Sequence, residues 1–323
     1  MIISKTPYRI PLSGGGTDVD FYYKKFGSKF ISAGITEYVY VFLTERKLDK
    51  NFMIQTSLVE FKKSVNSLKH SLIRETIKYF KLKEKFQIST ISTVPTSTGL
   101  GSSSAMIVGL INCIKKFKNL KLSQNEIFKI AYEIERKKVK YAGGWQDQIM
   151  SVFGGFVIAT ISKNESIKID KKKNIRNIQK IINNHFLLVY SNKKRNSANI
   201  INSQKKNLKK TYEFYNEIKK FNLPMSNSIK TEKINLIGKI FNKHWKLKRN
   251  LTKNISDHKL NYLFKKIEKL DGFLGGKLIG AGGGGFFLIA VKNKKKIVKN
   301  IDKKKLNFIN LKFENNGSKI IKI

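Results

Sequence analysis

Residues 94–110, VPTSTGLGSSSAMIVGL, place a loop of glycine and hydroxyl residues between a strand-like run and an apolar segment at helical spacing. Strand, small-residue loop, helix is an order that leaves bare backbone N–H groups at a helix N-terminus. The helix dipole adds positive potential there, and a phosphate is well accommodated. Gly99 and Gly101 let the backbone approach an anion closely. Ser102, Ser103 and Ser104 can cap the helix, and one of them can turn a hydroxyl to Mg2+. Two common nucleotide motifs do not fit. The loop lacks a Gly-Lys-Ser/Thr ending, and Ser104 stands where the dinucleotide fingerprint has its third glycine.

Other groups with chemical potential are spread along the chain. Ser13-Gly14-Gly15-Gly16-Thr17-Asp18 exposes backbone that another molecule can approach, and Asp18 can accept hydrogen bonds from bound hydroxyls. Glu133 and Glu135 lie two apart on an expected helix, so they point to different faces and one at most serves a site. In Ala142-Gly143-Gly144-Trp145-Gln146-Asp147-Gln148, Asp147 begins a short helix. There it either complements the dipole or, if buried near phosphates, acts as a base. Residues 272–285 form a second glycine cluster with the run Gly-Ala-Gly-Gly-Gly-Gly. His70, His185, His244 and His258 show no metal-ligand spacing and are read as structural or surface residues.

The elements that must position these groups are of mixed type. Residues 1–20 begin extended, and Pro7 and Pro11 suggest an edge strand. Residues 30–44 read as a strand with 51–59 as its partner, 67–80 as a helix, and 86–93 as the strand feeding the loop. Ser123-Gln124-Asn125-Glu126 is a capping box that opens a helix to about Val139. A strand at 156–161 closes the first unit, and the polar, basic stretch 162–180 is the expected boundary. Beyond it come a strand at 185–190, a long polar helix at 196–221, a break at Leu223-Pro224, and helices at 231–251 and 256–270. A strand at 286–291, a basic helix at 294–305 and a last strand at 307–313 complete the chain.

The 323 residues carry 65 Lys/Arg against 22 Asp/Glu, a formal charge of +43. A hydrophobic content of 41% fits a globular chain and excludes wholesale disorder. The charge is attractive to any anion, nucleic acid and phosphorylated metabolites included. The basic runs lack the interleaved aromatics of a base-stacking platform, so no nucleic-acid partner is expected. Cys113 is the only cysteine, so no internal disulfide is possible. The N-terminus does not read as a signal peptide and no apolar run approaches a membrane span. A cytoplasmic protein with no membrane partner is the expectation; oligomeric state is left open.

The order and spacing of three elements, the Arg9 and glycine stretch, the PxxxGLGSSS loop and the late GAGGGG cluster, resemble the GHMP kinases. That superfamily includes galactokinase, homoserine kinase and mevalonate kinase. Within it, RIPLSGGGTD and GGWQDQ are similar to the sugar-kinase branch acting on the anomeric hydroxyl of D-glycero-D-manno-heptose 7-phosphate, with bacterial fucose kinases as near relatives. The resemblance implies a two-domain α+β fold. A ribosomal-protein-like β-α-β ATP/phosphate-binding domain would occupy 1–165 and a ferredoxin-like domain 175–323, with ATP and a sugar phosphate in the cleft between. It implies that Ser97, Thr98, Gly99, Leu100, Gly101, Ser102, Ser103 and Ser104 wrap the ATP phosphates, and that Ser103 and Glu135 bind Mg2+. Asp147 would be the catalytic aspartate and Arg9 the cation that orients it. Gly15, Gly16, Asp18 and Gly144 would contact the sugar, with Gly283 and Gly284 shaping the cleft. Galactokinases carry Glu-His at the Gly15-Gly16 position, so galactose is disfavoured and the glycines suggest room for a larger sugar. The sugar's own phosphate needs a second anion site, for which Arg195 and Ser197 resemble the heptose kinases' arginine and serine. The competing readings are a fucose or other monosaccharide kinase and, in another class, a basic nucleic-acid-binding protein on a kinase-like scaffold.

Overall fold

In the computed structural model, residues 1–194, 197–303 and 306–321 are described. Two long strands, β1 (Ile2–Ser13) and β2 (Ser28–Glu45), pair antiparallel along most of their length. β1 is not the edge strand its prolines suggest. It lies between β2 and β12 (Lys319–Ile321), and its register shifts fall at Pro7/Tyr8 and Pro11/Ser13. A bulge is where a missing N–H breaks no ladder bond, and β12 pairs only with Ile3, Ser4 and Lys5, short of Pro7.

β2 is long enough to serve two neighbours on its other edge. Its first half pairs with β6 (Phe156–Ile161) and its second half with β5 (Phe86–Ser92). Both edges are then occupied, so residues 51–59 do not pair with it as expected. They contribute instead to β3 (Phe52–Gln55), parallel to β5, and to β4 (Val59–Lys62), the outermost strand. β7 (Ile167–Lys171) pairs with β6 inside the stretch expected to be a linker.

Helix α3 (Ser102–Phe117) packs across β1 and β2 and is buried almost all round. α2 (Ser71–Tyr79), α4 (Gln124–Tyr132) and α5 (Gln146–Phe153) surround it. The capping box Ser123–Glu126 opens α4, which continues through a π-helical turn, Glu133–Lys138. Such turns often mark functional sites.

The second sheet is antiparallel, in the order β11 (Phe308–Asn310), β8 (Phe186–Tyr190), β10 (Phe286–Val291), β9 (Phe273–Leu278). Around it lie α6 (Arg176–His185), α7 (Ser197–Lys205), α8 (Leu208–Lys220), α9 (Asn222–Lys230), α10 (Ile234–Arg249), α11 (His258–Glu268) and α12 (Lys294–Lys303). The single helix expected at 196–221 is two, because Asn207 accepts from Lys210 N–H and caps a new start. Pro224 does not break the chain. It lies in the first turn of α9, where an N–H has no intrahelical partner to lose.

The result is an α+β fold with two sheets. The chain's last strand, β12, joins the first sheet, so residues 175–323 do not all belong to the second. One apolar cluster runs through both halves, from Ile10 and Ile35 to Phe186, Phe241 and Leu288. A second gathers Trp245, Phe264 and Phe287 with Val19 and Tyr22, the latter from α1 (Asp20–Phe26). No helix among the described residues is long and apolar enough to cross a membrane.

Candidate active site

The loop before α3 is shaped for an anion. Ser97 has φ 62° and Gly101, the N-cap residue, takes a left-handed φ of 90°. Contrary to the sequence expectation, no serine caps α3: among the described residues no side chain bonds to its first N–H groups. Those groups stand at the positive end of a 16-residue helix. Thr98 Oγ1 donates to Pro95 O at 2.8 Å and steadies the loop. A Cβ on Gly285, from the late glycine cluster, would stand 2.1 Å from Thr98 O, so only glycine lets that cluster brace the loop.

The serines turn to Glu135. Ser103 Oγ donates to Glu135 Oε1 at 2.5 Å and Ser104 Oγ to Oε2 at 2.6 Å. Gln148 Nε2 donates to Oε2 at 2.6 Å, and Arg136 Nη1 stands 3.1 Å from Oε1. Glu135 is fully buried on the π turn, whereas Glu133 is only half-buried, beside Lys138. A hydroxyl and a carboxylate at the mouth of a phosphate loop are hard oxygen donors. They suit Mg2+, which takes few protein ligands and completes its shell from water and phosphate.

Asp147 is held at the start of α5. Trp145, two residues earlier, stacks on Tyr132 with centroids 3.4 Å apart. Arg9 Nε and Nη2 both donate to Asp147 Oδ1, at 2.8 and 2.5 Å, and Nη1 donates to Gly99 O at 2.7 Å. One buried guanidinium thus ties β1, the phosphate loop and α5 together. Oδ2 of Asp147 has no hydrogen-bond partner among the described residues, and the side chain keeps 25% exposure. The Asp147 carboxyl carbon is 3.3 Å from where a Cβ on Gly101 would stand, so the carboxylate lies against the helix start.

A cavity of about 890 Å3, counted out to its open mouth, spreads from this pair and includes Gly15, Gly16, Asp18, Gly144 and Ser197 in its lining. Asp18 is buried. Its Oδ1 accepts from Gly16 N–H at 3.2 Å and Oδ2 from Gln146 N–H at 2.8 Å. Burial raises its carboxyl pKa, opposed by the Gln146 bond. A Cβ on Gly144 would stand 2.2 Å from Asp18 Oδ2, which explains the glycine. The expected room beside Gly16 is filled: Tyr215 Cε1 lies 2.8 Å from where its Cβ would stand. Gly283 and Gly284 are not in the lining. They pack against Ile200 and Lys193 O, and the cavity wall there is Gly280 and Ala281. Arg195 lies outside the described residues.

Sequence reasoning missed Arg136, Tyr215, His244, Lys248 and Lys277, all of which line the cavity. The signal was periodicity. On α10 the buried stripe Ile237, Ile240, Phe241, His244, Trp245, Lys248 carries two polar residues at core positions. Lys277 similarly interrupts an apolar strand. His244 is therefore a cleft residue. Burial, then the charges of Lys277 and Lys248, hold its pKa well below the usual value, so the ring is neutral.

Comparison with known proteins gives the family. The GHMP kinases N-terminal domain model matches residues 69–155, which span the loop, Glu135 and Asp147. A D-glycero-alpha-D-manno-heptose 7-phosphate kinase from Campylobacter jejuni is 30% identical over 308 residues, 91% of each chain. The mevalonate kinase of Methanocaldococcus jannaschii is 30% identical over 248 residues, 75% of each. A solved D-glycero-D-manno-heptose 1-phosphate kinase from Bacteroides thetaiotaomicron superposes with TM-score 0.82 at 24% identity, covering 100% of this chain and 99% of that one. The chain belongs to the GHMP kinase family. It is an ATP-dependent phosphotransferase.

Proposed function

We propose that the enzyme transfers the γ-phosphoryl group of ATP to the anomeric hydroxyl of D-glycero-D-manno-heptose 7-phosphate, giving the 1,7-bisphosphate for nucleotide-activated heptose in surface glycans. The observation that carries the transfer is the Arg9–Asp147 pair: Oδ1 held twice, Oδ2 open to the cavity, beside the uncapped start of α3. The acceptor assignment is supported by the long match to the Campylobacter jejuni heptose kinase and by the number of cations around the cavity.

The residues divide the work. The N–H groups of the 97–104 loop and of α3 hold the triphosphate and neutralise charge as the phosphoryl group moves. Ser103 and Glu135 would hold Mg2+, which would supply positive charge to offset that of the phosphates. Asp147 Oδ2 accepts the proton of the attacking hydroxyl, while Arg9 fixes the carboxylate and stabilises the developing oxyanion. Asp18 and the Gly144 backbone face the sugar, and the ring of Tyr215 limits its bulk beside Gly16. Asp147→Asn is expected to keep ATP binding and to lower kcat by roughly 100- to 10,000-fold, since an amide cannot take the proton. Near-normal turnover in that variant removes Asp147 from the chemical step.

A further inference from the structure

The cavity holds three polar groups that the transfer step does not use. His244 and Lys248 sit one turn apart on α10, and Lys277 lies on the facing strand β9. They are 6%, 6% and 2% exposed. His244 and Lys248 lie on the buried stripe of α10 with Phe241 and Trp245, and Lys277 lies in the buried run of β9. Lys248 Nζ donates to Leu278 O at 3.0 Å and to Gly280 O. Lys277 Nζ donates to Leu12 O at 2.8 Å and stands 4.9 Å over the Phe241 ring. Among the described residues Lys277 has no carboxylate partner, and His244 Nδ1, also buried, has no hydrogen bond.

The carboxylates near the cavity are already engaged. Asp147 is tied to Arg9, Asp18 to two backbone N–H groups, and Glu135 to Arg136 and the serines. Burying the Lys277 ammonium beside apolar side chains is costly unless an anionic partner arrives. A neutral imidazole with an unbonded nitrogen completes a donor set for an oxyanion with several acceptor atoms. The same cavity contains Asp147 and Arg9, the groups assigned above to the acceptor's attacking hydroxyl.

We propose that His244, Lys248 and Lys277 form the subsite for the acceptor's own phosphate monoester, and so select a phosphorylated sugar over its unphosphorylated form. This rests on the reading of the acceptor as a sugar phosphate. It moves the expected second anion site from the start of α7 to the α10–β9 wall. Ser197, the first residue of α7, also lines the cavity.

The test has two arms. Kinetics compare heptose 7-phosphate with unphosphorylated heptose in the parent enzyme and in Lys248→Met and Lys277→Met. The KM for the phosphorylated sugar rises more than tenfold in each variant, the KM for ATP changes less than twofold, and the preference for the phosphorylated sugar falls toward one. Thermal melts show the variants folded, because Met fills the Lys stem without burying a charge. Should Lys277→Met fail to fold, Lys248→Met and His244→Phe carry the same comparison. Parent-like preference in folded variants overturns the subsite while leaving the heptose 7-phosphate reading intact. In the second arm, inorganic phosphate is titrated into protein whose loop is filled by a non-hydrolysable ATP analogue. Binding to the parent that is lost in Lys248→Met supports the subsite even if the parent fails to turn over heptose 7-phosphate, an outcome that would overturn the acceptor reading alone. Equal phosphate binding in parent and variants overturns the subsite.

Discussion

The two walls of the cleft are finished to different degrees. On one side, β1, the 97–104 loop, α3 and α5 present groups already locked to one another. Glu135 meets Ser103, Ser104, Gln148 and Arg136, and Asp147 meets Arg9 twice. On the other side, α8, α10 and β9 present His244 with an unbonded nitrogen and Lys277 bonded to a single carbonyl. On the function proposed above, the first wall would hold the triphosphate, the same ligand in every turnover, which backbone and short side chains can preorganise. The second would hold the acceptor, whose arrival would satisfy the polar groups left unbonded there.

The largest expected effect attacks the finished wall. Glu135→Ala leaves the Arg136 guanidinium, 9% exposed, without its carboxylate. Stability should fall by about 3–5 kcal/mol in urea unfolding, the usual result of stranding one member of a buried pair. A loss under 1 kcal/mol would mean that this wall is not locked before ligand arrives. Glu135→Gln keeps hydrogen bonding and should raise the Mg2+ concentration needed for half-maximal rate. An unchanged Mg2+ titration removes Glu135 from the metal's shell.

Gly144→Ala comes next. Its Cβ would overlap Asp18 Oδ2, and relief of such a clash costs about 1–3 kcal/mol. The KM for the acceptor should rise with it, because Asp18 must move. A variant with parent-like melting and KM would show that the Asp18–Gly144 contact is slack.

The unfinished wall predicts a pH response. Burial, then the charge of Arg9, lowers the Lys277 pKa from 10.5 to about 7. Between those values the unfolded chain binds a proton that the folded chain has released, so this group makes stability rise with pH from about 7 toward 10.5. In the proposed subsite, acceptor binding needs the protonated form. The KM for a phosphorylated acceptor should therefore climb above pH 7, by up to tenfold per unit, while the phosphate stays dianionic. A flat KM between pH 7 and 9 would detach Lys277 from the acceptor. The smallest effect is Tyr215→Phe, which removes the 2.7 Å bond from Tyr215 Oη to Gln204 Oε1. It should cost about 0.5–1.5 kcal/mol and leave kcat close to the parent's.

The same division governs what the sequence makes legible. The loop, the capping box and GGWQDQ are local patterns, and each lands on the finished wall. Residue type does not separate Glu135 from Glu133; only the family resemblance does, and the π turn that sets the outcome leaves no mark in residue type. Residues of the other wall are brought together by packing between α8, α10 and β9, so no motif spacing records them. His244 was read as structural because isolated histidines without ligand spacing usually are, and its place on a buried helical stripe was the overlooked cue. β12 escaped notice because three residues carry too little pattern, and its pairing with β1 spans the length of the chain. The room inferred beside Gly16 is taken by Tyr215, from a helix 199 residues further on.

The proposed function rests on what the cleft phosphorylates. Purified protein, ATP and D-glycero-D-manno-heptose 7-phosphate should yield ADP and a product with two phosphorus resonances, one coupled to the anomeric proton. Absence of that anomeric phosphate, with ADP released on an unphosphorylated sugar instead, would contradict it.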